Sequence, residues 1–426
     1  MPRITINVKD LTSPVSTELM ENIVYMPGFA GTDATATATT GPVLCRTKKE
    51  FREVFGTRAA TVPNKTDDGG DNYAIYCSLL MAETLLDDGL YVLYEVPTKE
   101  SNSVTTPVTT VADFTTAVKT ADFWNKLKDK GFYDFRFITL GCPASIAAAD
   151  IKLINANIKA VSEARKDCTA VLDHAAVETK DNLTNIEKRE DCFGSVADKF
   201  TRCITPWCNF IGNDDNGKAI SGVELPGSFF YLESFANSVK NNNAVWFSNA
   251  GVIRGVAAHL GEPLIKYGSL DIEKLQPETG EDLDTGESTF AVNPIAYVRP
   301  YGFRIWGNRT AEIIDSTITK DASLKASHFA NVMEGVVELS KTLYNSSVLS
   351  MFEQNSDVLW NNFKNLIEIL LDRMLSNQGV KGYKITRVNS AKKGTLSAIV
   401  RIIPTEGVEF FNLTIELGDD LTITLQ

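Results

Sequence analysis

The sequence predicts a fold in two parts, an α/β unit followed by a C-terminal α+β unit, with a lone strand at each end of the chain. Between residues 112 and 210, helical patterns alternate with short apolar strands, which is typical of a sheet with some parallel pairing. After residue 320, two long helical patterns precede several strands, which indicates helices packed on a small antiparallel sheet.

Hydrophobic periodicity locates the individual elements. The predicted helices lie at residues 74–86, 112–127, 144–166, 185–199, 228–240, 322–343 and 356–375. The predicted strands lie at residues 3–8, 90–96, 134–140, 169–173, 202–210, 383–388, 395–403, 409–417 and 421–425, and residues 295–306 are extended. Ser356 gives the last helix a capping residue. Residues 98–110 are rich in Thr, Ser, Val and Pro, and we interpret them as a linker or an exposed connection.

The charge balance argues against one class of function, nucleic-acid binding, and the length suggests the number of domains. The chain has 426 residues, 42 Lys+Arg and 54 Asp+Glu, so its formal charge is 42 − 54 = −12. A protein whose main role is to grip DNA or RNA phosphates needs clustered positive charge, which this balance argues against. At about 150 residues per domain, the length favours roughly three domains.

The cysteines and the first residues predict a soluble protein made in a reducing compartment. The seven cysteines are an odd number and are widely spread, so we expect thiols packed in the core. Residues 1–10 alternate polar and apolar side chains, unlike a signal peptide. No apolar run approaches the ~18 residues that a membrane helix needs.

Several short motifs resemble catalytic or metal-binding patterns but lack a necessary part. Gly212–Lys218 resembles a phosphate-binding loop, yet Ala219 stands where that loop needs a hydroxyl, so we predict a hairpin turn. Asp284–Gly286 matches the aspartic-protease triplet, but in one copy and in a hydrophilic loop. Gly418–Asp420 is interpreted as a turn, and Cys203 with Cys208 as core thiols, because no second ligand pair accompanies them.

We therefore predict no catalytic, cofactor-binding or metal-binding residues and no cofactor. The three histidines, His174, His259 and His328, exclude a His-rich metal centre, and we interpret His174 and His259 as packing residues. Weak calcium sites at Asp282, Asp284 and Glu287, or at residues 67–71, remain alternatives, although neither has the spacing of a calcium-binding hand.

The two terminal strands are the remaining candidates for function. Each presents one apolar face, formed by Ile4, Ile6 and Val8 at one end and by Leu421, Ile423 and Leu425 at the other. An isolated terminal strand is marginal unless something pairs with it. Each strand either folds back onto its own domain or adds to the sheet of a neighbouring subunit, where main-chain hydrogen bonds supply the affinity.

Four segments of the C-terminal half resemble contractile phage tail sheath proteins. Val245–Gly255 resembles that family's Pro-Trp-x-x-Pro-Ala-Gly segment with its following Arg-Gly, with Val245 and Asn249 at positions where the family usually has Pro. Asn293–Thr310 contains a counterpart of the Trp-Gly-x-Arg-Thr segment. Phe352–Trp360 and Gly379–Tyr383 follow in the family's order, and the likeness runs from about residue 227 to 426. The signature residues, which we take as structural, are Trp246, Gly251, Arg254, Gly255, Trp306, Gly307, Arg309 and Thr310.

This resemblance implies a structural subunit, not an enzyme. Its partners would be further copies of itself in stacked rings, an inner tail tube, and baseplate and terminator proteins, with no nucleic acid and no membrane insertion. It would be assembled in the host cytoplasm and act in the virion tail. The sheath of a phage-derived bacteriocin, an extracellular injection system or a type VI secretion system is an alternative. An α/β enzyme with an unrecognised site is an alternative of another class, which a deep pocket with perturbed titratable groups would favour.

The resemblance also suggests a domain organisation. We expect an N-terminal arm at 1–20, an outer α/β region at 21–310 with a candidate sub-boundary at 98–112, an inner α+β domain at 311–417 and a C-terminal arm strand at 418–426. The inner domain would face the tube. The acidic outer region would face solvent and limit sticking between sleeves.

Overall fold

The computed structural model describes residues 21–35, 40–101, 104–141, 145–278, 287–315, 317, 324–349, 351–388 and 396–407. Its strands are β1 Ile23–Pro27, β2 Val43–Cys45, β3 Tyr91–Glu95, β4 Thr98–Ser101, β5 Val104–Pro107, β6 Phe137–Ile138, β7 Thr169–Asp173, β8 Thr201–Thr205, β9 Cys208–Phe210, β10 Gly212–Asn213, β11 Ala219–Ile220, β12 Glu224–Leu225, β13 Leu260–Pro263, β14 Ser288–Phe290, β15 Asn293–Val298, β16 Gly302–Ile305, β17 Ile313–Asp315, β18 Val380–Val388 and β19 Ser397–Pro404. Its α-helices are α1 Lys48–Phe55, α2 Asp71–Asp87, α3 Val111–Val118, α4 Ala121–Asn125, α5 Ala148–Arg165, α6 Lys180–Thr184, α7 Arg189–Phe193, α8 Gly227–Asn242, α9 Gly251–Arg254, α10 Ser269–Leu275, α11 Ala330–Leu349 and α12 Asp357–Ser376.

The largest sheet of the described residues has eight strands in the order β16–β15–β8–β7–β6–β1–β3–β2. The six inner strands are parallel, and β2 and β16 pair antiparallel at the edges. Alternation along β1 shows how helices cover both faces. Val24 and Met26 face the core that contains α2 and α8, whereas Ile23 and Tyr25 face the core that contains α3, α4 and α5. Continuously apolar strands of this kind are typical of a parallel sheet covered on both faces.

The C-terminal part places helices on a small antiparallel sheet, as the sequence predicts. Strands β18 and β19 form a hairpin whose inner face, including Ile385 and Val400, packs against the core that α12 joins. Helix α12 begins where expected, because the Ser356 hydroxyl accepts a hydrogen bond from the Leu359 amide at 3.2 Å. The predicted strand at 409–417 lies outside the described residues, and the domain boundaries stay a prediction.

The structure refines two sequence-based assignments near the eight-stranded sheet. Of the two interpretations of residues 98–110, the linker is wrong, because β4 and β5 pair as an antiparallel hairpin with exposed residues, which their β-branched side chains favour. The single helix predicted at 112–127 divides into α3 and α4. The Trp124 indole donates to the Val118 carbonyl at 2.6 Å and so satisfies a carbonyl at the end of α3.

Three later assignments also need correction. The helix predicted at 185–199 is restricted to the five residues of α7, because Gly194 follows with φ 87° and ψ −175°, an extended positive-φ conformation that ends the helix and favours glycine. The strand predicted at 202–210 breaks at Pro206, which has no amide to donate. Helix α11 begins at Ala330, not at residue 322, since Phe329 just before it pairs with Arg309 in a β-bridge.

No helix among the described residues is both long enough and apolar enough to cross a membrane.

Candidate functional site

A buried cluster of ion pairs connects the eight-stranded sheet to α11. Arg136 precedes β6 and Arg202 lies in β8, so both side chains lie at the starting edge of the parallel strands. Glu334 lies 3.3 Å from Arg202 and 3.7 Å from Arg136, and Glu338 pairs with Arg136 one turn further along α11. All four charged side chains are at most 3% exposed. Two positive and two negative charges therefore balance inside the fold and fix α11 on the sheet.

Several signature residues lie next to this contact between the sheet and α11. The side chain of Asn293 acts as a strand partner for Arg309, because its Oδ1 accepts from the Arg309 amide at 2.8 Å and its Nδ2 donates to the Arg309 carbonyl at 2.9 Å. A Cβ on Gly307 would lie 2.6 Å from Asn293 Oδ1, so only glycine permits this approach. The Arg309 guanidinium, 5.1 Å from the ring centre of Phe329, is buried.

Two asparagines connect the signature segments to the C-terminal part. Asn308 Nδ2 donates to Asn331 Oδ1 at 2.8 Å, and the Asn331 amide donates to Asn308 Oδ1 at 3.1 Å. Asn331 Nδ2 then donates to the carbonyls of Trp246 and Thr405, at 3.2 and 3.3 Å. One side chain at the start of α11 thus holds the first signature segment and the end of β19.

A cleft of about 320 Å³ lies between the signature segments. Gly251, Arg254, Trp306 and Gly307 line it. The Arg254 guanidinium stacks over Phe247 at 4.7 Å from the ring centre, which holds the arginine along the wall. Four signature residues thus lie around one cleft. Among the described residues, the polar groups that line it form no nucleophile–base pair.

The other signature residues have structural contacts. The Gly255 carbonyl accepts from the Ile305 amide at 2.9 Å, which fixes α9 against β16. The Thr310 hydroxyl donates to the Ser327 carbonyl at 2.9 Å. Trp246 is a core residue at 3% exposure, as predicted for packing, whereas Trp306 is half-buried.

Replacing Gly379 with Ala is expected to destabilise the chain by about 1–3 kcal/mol, because overpacked cores lose stability on this scale. The new Cβ would lie 2.7 Å from Trp246 Cδ1, in the turn where the Trp246 indole donates to Asn377 O at 3.0 Å. Urea unfolding followed by tryptophan fluorescence measures the change.

Gly382→Ala is the matched control, since no atom lies within 4 Å of a Cβ built there. We expect it to leave the free energy of unfolding within about 1 kcal/mol of the parent. Equal destabilisation by the two substitutions would contradict the close packing of Trp246 on Gly379.

The outward face of the β18–β19 hairpin is basic and partly apolar. Lys384 and Arg401 are directly opposite across the two strands, and neither contacts a carboxylate among the described residues. Ile399 and Ile403 on the same face are 44% and 62% exposed. Within the described residues, each strand of the hairpin has the other as its sole partner, so one edge of each strand is open to a further strand.

Two of the motifs that resemble catalytic or metal-binding sites have structural explanations. Residues 212–220 form the predicted hairpin turn, and Asp214 Oδ1 accepts from the Asn216 and Lys218 amides at 2.9 and 2.8 Å. Cys203 and Cys208 are buried free thiols whose pKa values burial raises. Asp284–Gly286 and Gly418–Asp420 lie outside the described residues.

His174 is the packing residue that the sequence predicts. Its ring nitrogens contact Ala175 O at 2.8 Å and Thr205 Oγ1 at 2.9 Å, and burial lowers its pKa to about 4. The neighbouring cavity, bounded also by Asp173 and Trp207, has a volume of about 10 Å³ and holds at most one water molecule. In doubly wound sheets ligands bind where the strand order reverses, which in this sheet is between β1 and β6. A Cβ on Gly141, after β6, would overlap the Pro27 carbonyl at the end of β1. The two strand ends therefore pack closely at the position where a ligand would bind.

His259 contacts acidic side chains that sequence reasoning missed. Its backbone amide and its Nδ1 lie 2.9 and 2.7 Å from Glu233 Oε1. The carboxyl group of Asp88 completes a cluster of three side chains. Burial, then the charge of Glu233, raises the pKa of Asp88 to about 7. The hydrogen bond with Glu233 raises the pKa of His259. The three residues are far apart in sequence, so no local spacing pattern signals them.

The predicted arm residues Ile4, Ile6, Val8, Leu421, Ile423 and Leu425 all lie outside the described residues. Their pairing stays a prediction.

Neither a protein-family model nor a curated protein sequence matches this chain. Solved structures do share its fold along its whole length. The sheath of an extracellular contractile injection system, the PVC sheath complex in its contracted state, aligns at a TM-score of 0.62 with 14% identity, over 99% of this chain and 98% of that chain. The contracted helical sheath of the anti-feeding prophage aligns at 0.61 with 12% identity, over 98% and 99%.

A sheath tail protein from Listeria innocua also aligns, at a TM-score of 0.50 with 8% identity, over 92% of this chain and 96% of that chain. The chain therefore has the fold of contractile sheath proteins. This agreement confirms the resemblance predicted from the signature residues at the level of the fold and extends it to the N-terminal half.

Proposed function

We propose that this chain is the structural subunit of a contractile sheath, which polymerises helically around an inner tube and shortens to drive the tube through a target envelope. The observation that carries the proposal is the alignment with two injection-system sheaths over at least 98% of both chains. Because the alignments cover 98–99% of this chain, the shared fold is not limited to one domain.

The β18–β19 hairpin provides the contact through which neighbouring subunits join. We infer that the terminal strands 3–8 and 421–425 of other subunits add to its two open edges. Added strands gain main-chain hydrogen bonds, and the hairpin's register fixes where their side chains lie. An exchanged arm would keep subunits connected while larger interfaces exchange one packing for another during contraction.

The outward face of the hairpin supports the predicted tube partner. Lys384 and Arg401 lie opposite each other there, and like charges across a strand pair are unfavourable unless an acidic surface compensates them. The exposed Ile399 and Ile403 add apolar area. This chemistry fits an inner tube with an acidic outer surface, and the surplus of acidic residues elsewhere in the chain fits the outside of the sheath.

Among the possible machines, we infer an extracellular injection system, and the alignment with the PVC sheath at a TM-score of 0.62 is consistent with it. Phage tails, bacteriocins and type VI systems share the same mechanical requirement.

Electron microscopy of the purified full chain tests the proposed function. We expect hollow cylinders of stacked rings at high protein concentration or when an inner tube protein is co-expressed. The same sample should sediment as large, polydisperse assemblies. A chain that stays monomeric under both conditions would contradict the proposal.

A further inference from the structure

Three side chains that can bind a metal converge beside the eight-stranded sheet, and none of them lines the signature cleft. Asp88 follows the last residue of α2, Glu233 lies in the middle of α8, and His259 precedes β13. One carboxylate oxygen from each acid and one ring nitrogen of His259 all lie within 4.8 Å of one another. Three separate elements therefore direct metal-binding atoms at one point.

Two oxygen atoms of this cluster lack hydrogen-bond partners among the described residues. Glu233 Oε1 accepts from the His259 amide and contacts its Nδ1, but Glu233 Oε2 is buried and unpartnered. Asp88 Oδ2 is likewise buried and unpartnered. The Glu233 side chain is only 2% exposed. A buried carboxylate oxygen with no donor is costly, so a cation or a proton must compensate it.

The charge around the cluster favours a cation. Asp87 adds a further negative charge nearby, and Lys240 is the positive side chain that acts on Asp88 besides His259. When Asp88 is ionised, two carboxylates beside one histidine leave a net negative site even with the histidine protonated. A divalent ion would neutralise this charge and supply the missing partner to both unpaired oxygens.

We propose that Asp88, Glu233 and His259 bind one divalent transition-metal ion of the Zn²⁺ class. Zn²⁺ binds imidazole nitrogen and carboxylate oxygen at about 2.0–2.2 Å in a tetrahedral arrangement, so two of its ligands are about 3.4 Å apart. The three ligand atoms lie within 4.8 Å of one another, so the side chains close by at most about 1.4 Å to reach this geometry. Ca²⁺ takes 6–8 oxygen ligands and fits a three-residue site with a nitrogen ligand poorly.

The surroundings of His259 fix its ring and leave it accessible to water, as in known metal sites. The ring of His259 stacks on Phe210 with centroids 5.1 Å apart and planes 3° from parallel, which fixes its orientation. The His259 side chain is 28% exposed, so water can reach the ion and complete its coordination. Such an ion would tie the end of α2 to α8 and β13. The site is independent of the proposed sheath function.

Zinc titration of the full-length chain, first stripped with a chelator, tests this proposal. Calorimetry should show about one Zn²⁺ per chain, and Zn²⁺ should raise the midpoint of thermal unfolding, because a ligand that binds the folded state stabilises it. Co²⁺ provides a second readout through the visible absorption of its coordinated form. His174 and His328 are each 1% exposed, so surface histidines elsewhere in the described chain contribute little background.

His259→Gln and Glu233→Gln should each weaken Zn²⁺ binding by at least a hundredfold. Glu53→Gln, which removes an exposed carboxylate from α1, is the matched control and should bind Zn²⁺ as the parent does. Circular dichroism checks that each variant is folded, and His259→Gln changes the more exposed ligand in case Glu233→Gln does not fold. Binding that is absent from the parent, or that persists unchanged in His259→Gln, would overturn the proposal and leave protons as the occupants.

Discussion

Removal of Leu421–Gln426 is expected to abolish hollow cylinders while leaving a folded monomer. Five residues of strand extend about 16 Å and make about four hydrogen bonds with a neighbouring hairpin. At about 1 kcal/mol net each, their loss weakens each link by about 4 kcal/mol, or roughly a thousandfold. A polymer repeats this loss at every subunit, so assembly fails although the core is unaffected.

The control for this deletion uses the two faces of the same strand. Replacing Leu421, Ile423 and Leu425 with Ser keeps the main-chain hydrogen bonds but should also abolish cylinders, because each fully buried aliphatic side chain contributes about 1.5–3 kcal/mol. Replacing Thr422 and Thr424 with Ser alters the alternate face and should leave cylinders intact. Electron microscopy scores assembly, and circular dichroism verifies the fold. Normal cylinders from the truncated chain would contradict the arm hypothesis.

Substitution of Glu334 with Ala is expected to lower the free energy of unfolding by about 3–5 kcal/mol, because removing one partner of a buried pair leaves an uncompensated charge. Arg202 would lose its carboxylate partner, and Arg136 would retain only Glu338. Thr169 Oγ1 would also lose the acceptor that it contacts at 2.8 Å. Urea unfolding of the full chain measures the effect.

Glu368→Ala is the matched control for the ion-pair cluster. Glu368 pairs with Lys364 at 3.1 Å on α12, with both side chains at least 30% exposed. An exposed pair contributes under about 1 kcal/mol, so this variant should unfold close to the parent. Equal stability of the two variants would show that the joint between the sheet and α11 does not depend on Glu334.

Local sequence signals predicted the elements that local chemistry determines. Residues 169–173 were assigned correctly because a buried parallel strand is a short apolar run between polar turns. Helix α12 was located by Ser356 and its apolar periodicity. Helix α8 differs from its prediction by a few residues at its ends.

Contacts between distant residues explain the assignments that failed. The start of α11 depends on pairing between Arg309 and Phe329, which no window around residue 322 reveals. The ion pairs of Arg136 and Arg202 join residues more than 100 positions apart. Similarly, the helical pattern at 112–127 is continuous in sequence, but Trp124 folds back onto the end of α3.

The signature residues identified the fold without revealing their contacts. Gly307 is required because the Asn293 side chain approaches it, and this contact becomes visible only when β15 lies beside the segment. The grouping of Asp88, Glu233 and His259 depends on the packing of α2 against α8 and on the approach of His259, just before β13, to Glu233. No local pattern around any of the three residues therefore predicts a metal site.

A helical reconstruction of cylinders assembled from the full chain tests the proposed assembly most directly. We predict that the β18–β19 hairpin of each subunit is extended by strands from neighbouring subunits, with residues 3–8 and 421–425 as the added strands. Cylinders whose hairpins gain no strand from a neighbour, with both termini folded on their own subunit, would contradict it.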